Sequence, residues 1–223
     1  TATVIAPTSG ALDVAAGDIV VAQVDLAVAN DLSGPLAIKQ MREAGPVRFF
    51  DPDRICFVAG RHAPFNNAQI AGNVAELGRL CREQGVKLFF GHGEGMDHVV
   101  LPEEGLVQPG ALICNGDSHA ATLGAFGAVG IPMGSTDMAY IFAFGETWPQ
   151  VPETLLARFN GAPPPALTTK YLLLALLKEV GVAGADYMSI EYDGSALDGF
   201  SACERATLTN MAVEMGAKTG VSA

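Results

Sequence analysis

All four histidines of the chain lie between residues 62 and 119, and each follows a segment that is predicted to be a strand. They are His62, His92, His98 and His119. Histidine is the side chain best suited to moving protons near neutral pH. Several histidines at one edge of a parallel sheet indicate a polar pocket, whereas a single one is more often a hydrogen-bonded core or capping residue. The pattern favours a site for His98 and His119, while both interpretations stay open for His62 and His92.

The tripeptide Asp117-Ser118-His119 places a carboxylate, a hydroxyl and an imidazole in one turn. A carboxylate beside a histidine fixes its tautomer and raises its basicity. The alternative is that Asp117 and Ser118 cap the helix that follows. Seen alone, the tripeptide does not decide between the two.

Asn210 and Glu214 are four residues apart in a segment predicted to be helical, so they would share one face. Such a pair can point into a cleft. From the residues alone an exposed helical face is the favoured interpretation.

Strands are predicted at residues 18–28, 55–59, 86–90 and 111–114, and the apolar spacing of residues 68–84 predicts a helix that ends at Gly85. The recurring order is strand, glycine-rich loop with a histidine, then helix. That order is typical of a parallel α/β sheet whose loops gather at one edge, where such sheets bind ligands.

A break is predicted at residues 161–169, followed by a helix at 170–180, a strand at 188–192 and a helix at about 201–218. We therefore predict an α/β domain at residues 1–153 and the start of a second α/β module at residues 154–223.

The net charge of −11 argues against a nucleic-acid partner, because phosphate would be repelled. No apolar run is long enough for a membrane span and no leader pattern opens the sequence, so we expect a cytoplasmic protein without a membrane partner. The four cysteines are far apart and form no Cys-x-x-Cys pair, which indicates neither a disulfide framework nor a metal site.

Five ordered segments carry a family resemblance over nearly the whole chain: "VDLAVANDLSGPLAIK", "GEGMDHVVLPEEGLVQPG", "NGDSHAATLGAFGA", "GSTDMAYIFAFGETWPQVPET" and "ATLTNMAVEMGAKTGV". With these segments the chain resembles the N-terminal part of the aconitase superfamily, and within it the large-subunit type of 3-isopropylmalate dehydratase and homoaconitase. The resemblance implies a hydro-lyase or isomerase of amino-acid biosynthesis that acts on a small hydroxy di- or tricarboxylate.

The resemblance also assigns roles to individual residues. Positions that match catalytic groups of the family are His62, His98, Asp117, Ser118, His119 and Glu214. Positions that match substrate-binding places are Asn30, Arg61 and Asn210. We expect Asn30, His62, His98, Asp117, Ser118 and His119 to converge at one edge of the parallel sheet.

In the family these groups surround a [4Fe-4S] cluster whose open iron acts as a Lewis acid. The cluster cysteines and the swivelling domain lie in later parts of the family's sequence. We therefore expect no metal ligand and no cluster for these residues alone. The expected partners are a small carboxylate substrate and either a small swivelling-domain subunit or further C-terminal domains.

Some site positions depart from the family pattern. Arg61 stands where the family has an aspartate, Asp97 and Val99 flank His98 where relatives have a small or apolar residue and a glutamine, Ala120 replaces a threonine, and Leu123 replaces a histidine. These changes motivate a second hypothesis, a cluster-free module that binds a small acid or serves as a partner subunit.

Arg61 is the most informative of these departures. We expect it to contact an anionic ligand or to pair with a nearby acid such as Asp97, and to disfavour the charged form of His62 as a proton donor. The alternative is an arginine turned toward solvent.

Overall fold

The protein is described in a computed structural model, which covers residues 1–10, 13–164 and 166–222. The helices are α1 (Ala2–Ser9), α2 (Ser33–Ala44), α3 (Ala68–Gln84), α4 (Asp97–Glu103), α5 (Ser135–Phe144), α6 (Thr169–Val180) and α7 (Ala202–Asn210). The strands are β1 (Ala22–Gln23), β2 (Leu26–Asn30), β3 (Ile55–Val58), β4 (Leu88–Phe90), β5 (Leu112–Asn115), β6 (Val129–Pro132), β7 (Glu146–Thr147), β8 (Thr154–Arg158), β9 (Ser189–Asp193) and β10 (Thr219–Ser222).

Five strands form a parallel sheet in the order β4-β3-β2-β5-β6. Every residue of β2, β3 and β5 is buried, which is typical of a parallel sheet covered on both faces. The register places Asn30 beside Val58 and Val28 beside Asn115, so these three strands end at one edge. The predicted parallel α/β fold is confirmed.

A second sheet has the parallel order β10-β9-β8, with β9 in the centre. Its core is made of apolar side chains from the sheet, from α6 and α7 and from the 3-10 segment after α7, among them Leu173, Ile190, Tyr192, Leu208 and Met215. The division at residue 153 into a domain and a second module stays a prediction.

The two sheets meet at a contact between glycines. Gly124 lies in a 3-10 helical segment, Ala120–Phe126, and Gly220 lies in β10. A Cβ atom on Gly124 would lie 1.7 Å from the carbonyl oxygen of Gly220. Only a glycine at position 124 lets the two main chains approach this closely, so Gly124 permits the contact between the two sheets.

Helix α3 matches the predicted bounds. Its N-cap Asn67 accepts a hydrogen bond from the backbone N–H of Ile70 at 2.9 Å, and Gly85 ends it with a φ of 78°.

Two predicted elements are wrong in their extent. Residues 18–28 do not form one strand, because Ala22–Gln23 pairs antiparallel with β7 and only Leu26–Asn30 enters the parallel sheet. Between them the Asp25 carboxylate accepts a hydrogen bond from the backbone N–H of Leu112 at 2.8 Å, which fixes the change of sheet.

The last predicted helix also ends early. Helix α7 stops at Asn210, a 3-10 segment covers Met211–Met215, and Gly216 ends it with a φ of 84°. Strand β10 follows and pairs with β9. Among the described residues no helix is long and apolar enough to cross a bilayer.

Candidate active site

Polar residues follow four strands of the parallel sheet at the edge where these strands end. Asn30 closes β2, Arg61 and His62 follow β3, Asp97 and His98 open α4 after β4, and Asp117 to His119 follow β5. Because carboxyl ends of parallel strands meet at one edge, the loops bring these side chains together.

The carboxylate of Asp117 is at the centre of this group, and its side chain is 1% exposed. Oδ2 contacts Nη1 of Arg61 and accepts a hydrogen bond from Nδ2 of Asn30 at 3.3 Å. Oδ1 accepts one from the backbone N–H of His119 at 2.9 Å. The buried negative charge is thus held by one cation and two further donors.

Arg61 therefore pairs with a nearby acid, and that acid is Asp117, not Asp97, which was the example expected from the sequence. The described structure shows no ion pair between Arg61 and Asp97. The Asp97 carboxylate is instead held by Asn115, whose Nδ2 donates to Oδ2 at 2.8 Å.

His119 has a polar partner at each ring nitrogen. Nδ1 lies 3.0 Å from Oγ of Ser118, and Nε2 lies 3.4 Å from Oε1 of Glu214. Glu214 is 51% exposed and comes from the 3-10 segment after α7. The predicted helical face shared with Asn210 is therefore wrong, although the carboxylate does reach the site.

His98 lies beside His119, with ring centroids 6.3 Å apart. Its Nδ1 is 3.2 Å from Oδ1 of Asp97. Burial raises the pKa of Asp97, and the neighbouring Asp117 carboxylate raises it further, while His98 and the hydrogen bond from Asn115 lower it.

His62 is held by Asp31, a residue that the sequence analysis did not single out. The backbone N–H of His62 donates to Oδ2 of Asp31 at 3.0 Å, and Nδ1 lies 3.2 Å from the same oxygen. Asp31 is 2% exposed and directly follows Asn30, so the rule that selected Asn30 points to it as well. Asp31 places a negative charge against the His62 ring, opposite in sign to the charge of Arg61, and the expectation that Arg61 disfavours His62 as a proton donor stays a prediction.

Asn210 and His92 lie outside the group around Asp117. Asn210 donates from Nδ2 to Oγ1 of Thr122 at 2.8 Å and lines a neighbouring cavity of about 560 Å³, which it shares with His98. The ring of His92 packs on Phe65 with centroids 4.6 Å apart.

A sequence model of the family described as "Aconitase family (aconitate hydratase)" matches residues 9–223. The chain belongs to the aconitase family. It is 40% identical over 218 residues to the 3-isopropylmalate dehydratase large subunit of Aquifex aeolicus, an alignment that covers 98% of this chain and 50% of that protein.

Two further relatives support the same placement. The 3-isopropylmalate dehydratase large subunit 1 of Methanopyrus kandleri is 42% identical over 209 residues, which cover 94% of this chain and 50% of the relative. The "Probable methanogen homoaconitase large subunit" of Methanothermobacter thermautotrophicus is 40% identical over 222 residues, which cover 98% and 52%. The chain spans about half the length of these curated relatives.

Aconitase-family proteins use a [4Fe-4S] cluster, and clusters of this type are held by cysteine thiolates. Among the described residues, one group of possible metal ligands has its ligand atoms within 4.8 Å of one another. It consists of Asp97, His98 and Asp117 and contains no cysteine. Burial raises the pKa of Cys81 and Cys114 to about 12, which disfavours their thiolates. The cysteines described here do not fit a cluster at this site.

Proposed function

We propose that the complete protein is a hydro-lyase or isomerase that acts on a small hydroxy di- or tricarboxylate, with this chain as the N-terminal half of a large subunit. The family match over residues 9–223 and the dehydratase names of the relatives support the proposal. The alternative of a cluster-free module is not favoured, because the match spans nearly the whole chain.

The observation that carries the proposal is the arrangement of His119 between two acids and a hydroxyl. Dehydration needs one group that donates a proton to the leaving hydroxyl and one that removes the neighbouring proton. With Glu214 at 3.4 Å from Nε2 and Ser118 at 3.0 Å from Nδ1, the imidazole has partners for holding and passing a proton at either nitrogen. Asp117 fixes the backbone of the same residue through the hydrogen bond at Oδ1.

The substrate's carboxylate has a binding group in Arg61. A guanidinium carries five N–H donors, and the described contact with Asp117 uses Nη1. The side chain is 39% exposed, so the remaining donors are accessible to a planar carboxylate. The proposal assigns Asn30, Arg61 and Asn210 to substrate binding and His62, His98, Asp117, Ser118, His119 and Glu214 to the reacting groups.

The cluster and the remaining domains are proposed to come from outside these 223 residues. The thiolate ligands would belong to the part of the relatives that this chain does not cover, and a small subunit or C-terminal domains would complete the substrate pocket. The relatives include both 3-isopropylmalate dehydratases and a homoaconitase. We therefore propose only the class of substrate, a small hydroxy di- or tricarboxylate.

The test uses the full-length protein, reconstituted anaerobically with iron and sulfide and combined with its small subunit. Isopropylmalate, a hydroxy dicarboxylate, and several hydroxy tricarboxylates are supplied, and the unsaturated product is followed by its ultraviolet absorbance. We expect turnover in the wild type and a loss of about 10²- to 10⁴-fold in kcat for Glu214→Gln and His119→Gln. Glu179→Gln, an exposed position on α6, is the matched control and retains full activity.

Absence of turnover with every hydroxy acid, in a preparation whose iron and sulfide content shows a loaded cluster, would sink the proposal. Equal kcat values for Glu214→Gln and Glu179→Gln would remove His119 and Glu214 from the reacting groups.

A further inference from the structure

A cavity of about 170 Å³ lies outside the candidate active site, between α5, β7 and the start of β10. Its lining includes Asp137, Tyr140, Trp148, Tyr187 and Lys218, and it shares no residue with the group around Asp117. It contains both a cation and an anion as well as aromatic rings.

Lys218 provides the positive charge. Its Nζ donates to the carbonyl oxygen of Pro132 at 3.3 Å and lies 5.5 Å from the centre of the Tyr187 ring. Within the described residues no carboxylate forms an ion pair with it. An ammonium group has three N–H donors, so donors remain for a ligand. Burial lowers the pKa of Lys218, while Asp137 and Cys114 oppose that shift, so an anionic ligand would relieve the cost of burying the charge.

Tyr187, whose ring lies beside Lys218, has an unusual backbone conformation. Its φ is 59°, and among the described residues no other non-glycine residue has a positive φ. A tyrosine in the left-handed region costs free energy, and such residues persist where the surroundings over-determine them, often at ligand sites.

Asp137 provides the negative charge. It lies in the first turn of α5 and is exposed, and within the described residues its carboxylate forms no hydrogen bond or ion pair. Its negative charge acts on Lys218 without an ion pair between them. Two opposite charges therefore line one small cavity, each open to a ligand.

Aromatic faces complete the cavity. Tyr140 and Trp148 pack edge to face with ring centroids 4.7 Å apart, and Trp148 is 51% exposed. The faces of such rings attract a ligand ammonium group. The volume corresponds to roughly six water molecules, which limits the occupant to a small organic molecule of fewer than about ten heavy atoms.

We propose that this cavity binds a small α-amino acid in its zwitterionic form. The ligand carboxylate bonds to Nζ of Lys218, the ligand ammonium lies between Asp137 and the aromatic faces, and a short side chain contacts Ile141. Each charge of the ligand then meets one unpaired charge of the cavity.

The test is isothermal titration calorimetry on the full-length protein with valine, isovalerate and isobutylamine. The two analogues lack the ammonium and the carboxylate respectively. Valine is expected to bind at least about tenfold more tightly than either analogue and to raise the unfolding temperature. Valine is also expected to change tryptophan fluorescence, and this change disappears in Trp148→Phe.

Lys218→Met and Asp137→Asn are each expected to weaken valine binding about tenfold. Lys178→Met, at an exposed lysine of α6, leaves binding unchanged. If Lys218→Met does not fold, the affinity of Asp137→Asn for valine and the comparison of the three ligands still test the proposed site. Equal affinity for valine and isovalerate would overturn the zwitterion assignment, and the absence of heat and of fluorescence change with valine and alanine would overturn the site.

Discussion

The guanidinium of Arg61 contacts the carboxylate of Asp117, and the two side chains differ strongly in exposure: 39% for Arg61 and 1% for Asp117. An arginine at this position changes the charge of the loop relative to the aspartate that the family resemblance leads one to expect. In the structure it supplies a positive charge to a carboxylate that is otherwise held by Asn30 and a backbone N–H. The departure is thus accommodated by a partner within the site.

Replacing Arg61 by methionine is expected to lower the free energy of unfolding by about 1–2 kcal/mol, because Asp117 would keep its burial and lose its cation. The value is below that of a fully buried pair because Arg61 is partly exposed. Urea unfolding measures it, with Arg79→Met as the control, since Arg79 pairs with exposed Glu83 on the surface of α3. If both substitutions changed the free energy of unfolding equally, the contact between Arg61 and Asp117 would add no more stability than a surface ion pair.

Replacing Asp97 by asparagine is expected to change how stability depends on pH. Burial raises the pKa of Asp97, so the folded state binds this proton more tightly than the unfolded state does. The wild type therefore loses stability relative to the variant as pH rises through the ordinary aspartate pKa of about 3.9 toward the raised value.

The measurement is urea unfolding of both proteins between about pH 4 and about pH 6, below the main titration of histidine. The stability of Asp97→Asn minus that of wild type is expected to increase over this interval. Asp198→Asn, at an exposed aspartate, is expected to give a flat difference. A decreasing difference for Asp97→Asn would mean that the carboxylate is stabilised by folding.

Alanine at Gly124 is expected to be strongly destabilising. The added Cβ would lie 1.7 Å from the Gly220 carbonyl oxygen, and neither main chain can move without shifting β10. Overpacking of this kind costs about 1–3 kcal/mol or more. Gly72→Ala is the matched control, because its Cβ meets no atom within 4 Å and lies inside α3, where alanine is favoured by up to about 1 kcal/mol. Similar unfolding temperatures for the two variants would contradict the close approach.

The cysteines are expected to differ in reactivity. Cys203 is exposed, whereas Cys56, Cys81 and Cys114 are buried and burial raises the pKa of all three thiols. A thiol reagent is therefore expected to label Cys203 first in the native protein and the other three only in urea. Mass spectrometry of the labelled peptides identifies the order, and a Cys203→Ser variant should lose the fast phase. Rapid labelling of Cys114 in the native protein would show that the β5 region opens to solvent.

The sequence was sufficient for the parallel sheet and for α3, because their signals are local. Apolar runs bounded by glycine predicted β3 and β5 within a residue or two, and the helical spacing with Asn67 and Gly85 at its ends gave the bounds of α3. Strand β10 was missed because its four residues, with a glycine inside, carry no alternation, and its identity depends on pairing with β9.

The site was predictable only in part for a similar reason. The positions of Asn30 and of the Asp117 turn follow from strand ends, so their convergence at one edge could be expected. The pairing of Arg61 with Asp117 and the contact of Asp31 with His62 depend on side-chain directions. Residue spacing in the sequence does not encode these directions. Glu214 reaches His119 from a 3-10 turn, which the helical interpretation placed differently.

The contact of Gly124 with Gly220 has a mechanical consequence. His119 precedes the segment that contains Gly124, and Glu214 precedes the strand that contains Gly220, so the main chains that carry the two residues are joined through this contact. Sliding one sheet past the other would break this contact before it could widen the site. We therefore expect the two sheets to move as one body at this contact, so that access to the site would change through exposed side chains such as Arg61.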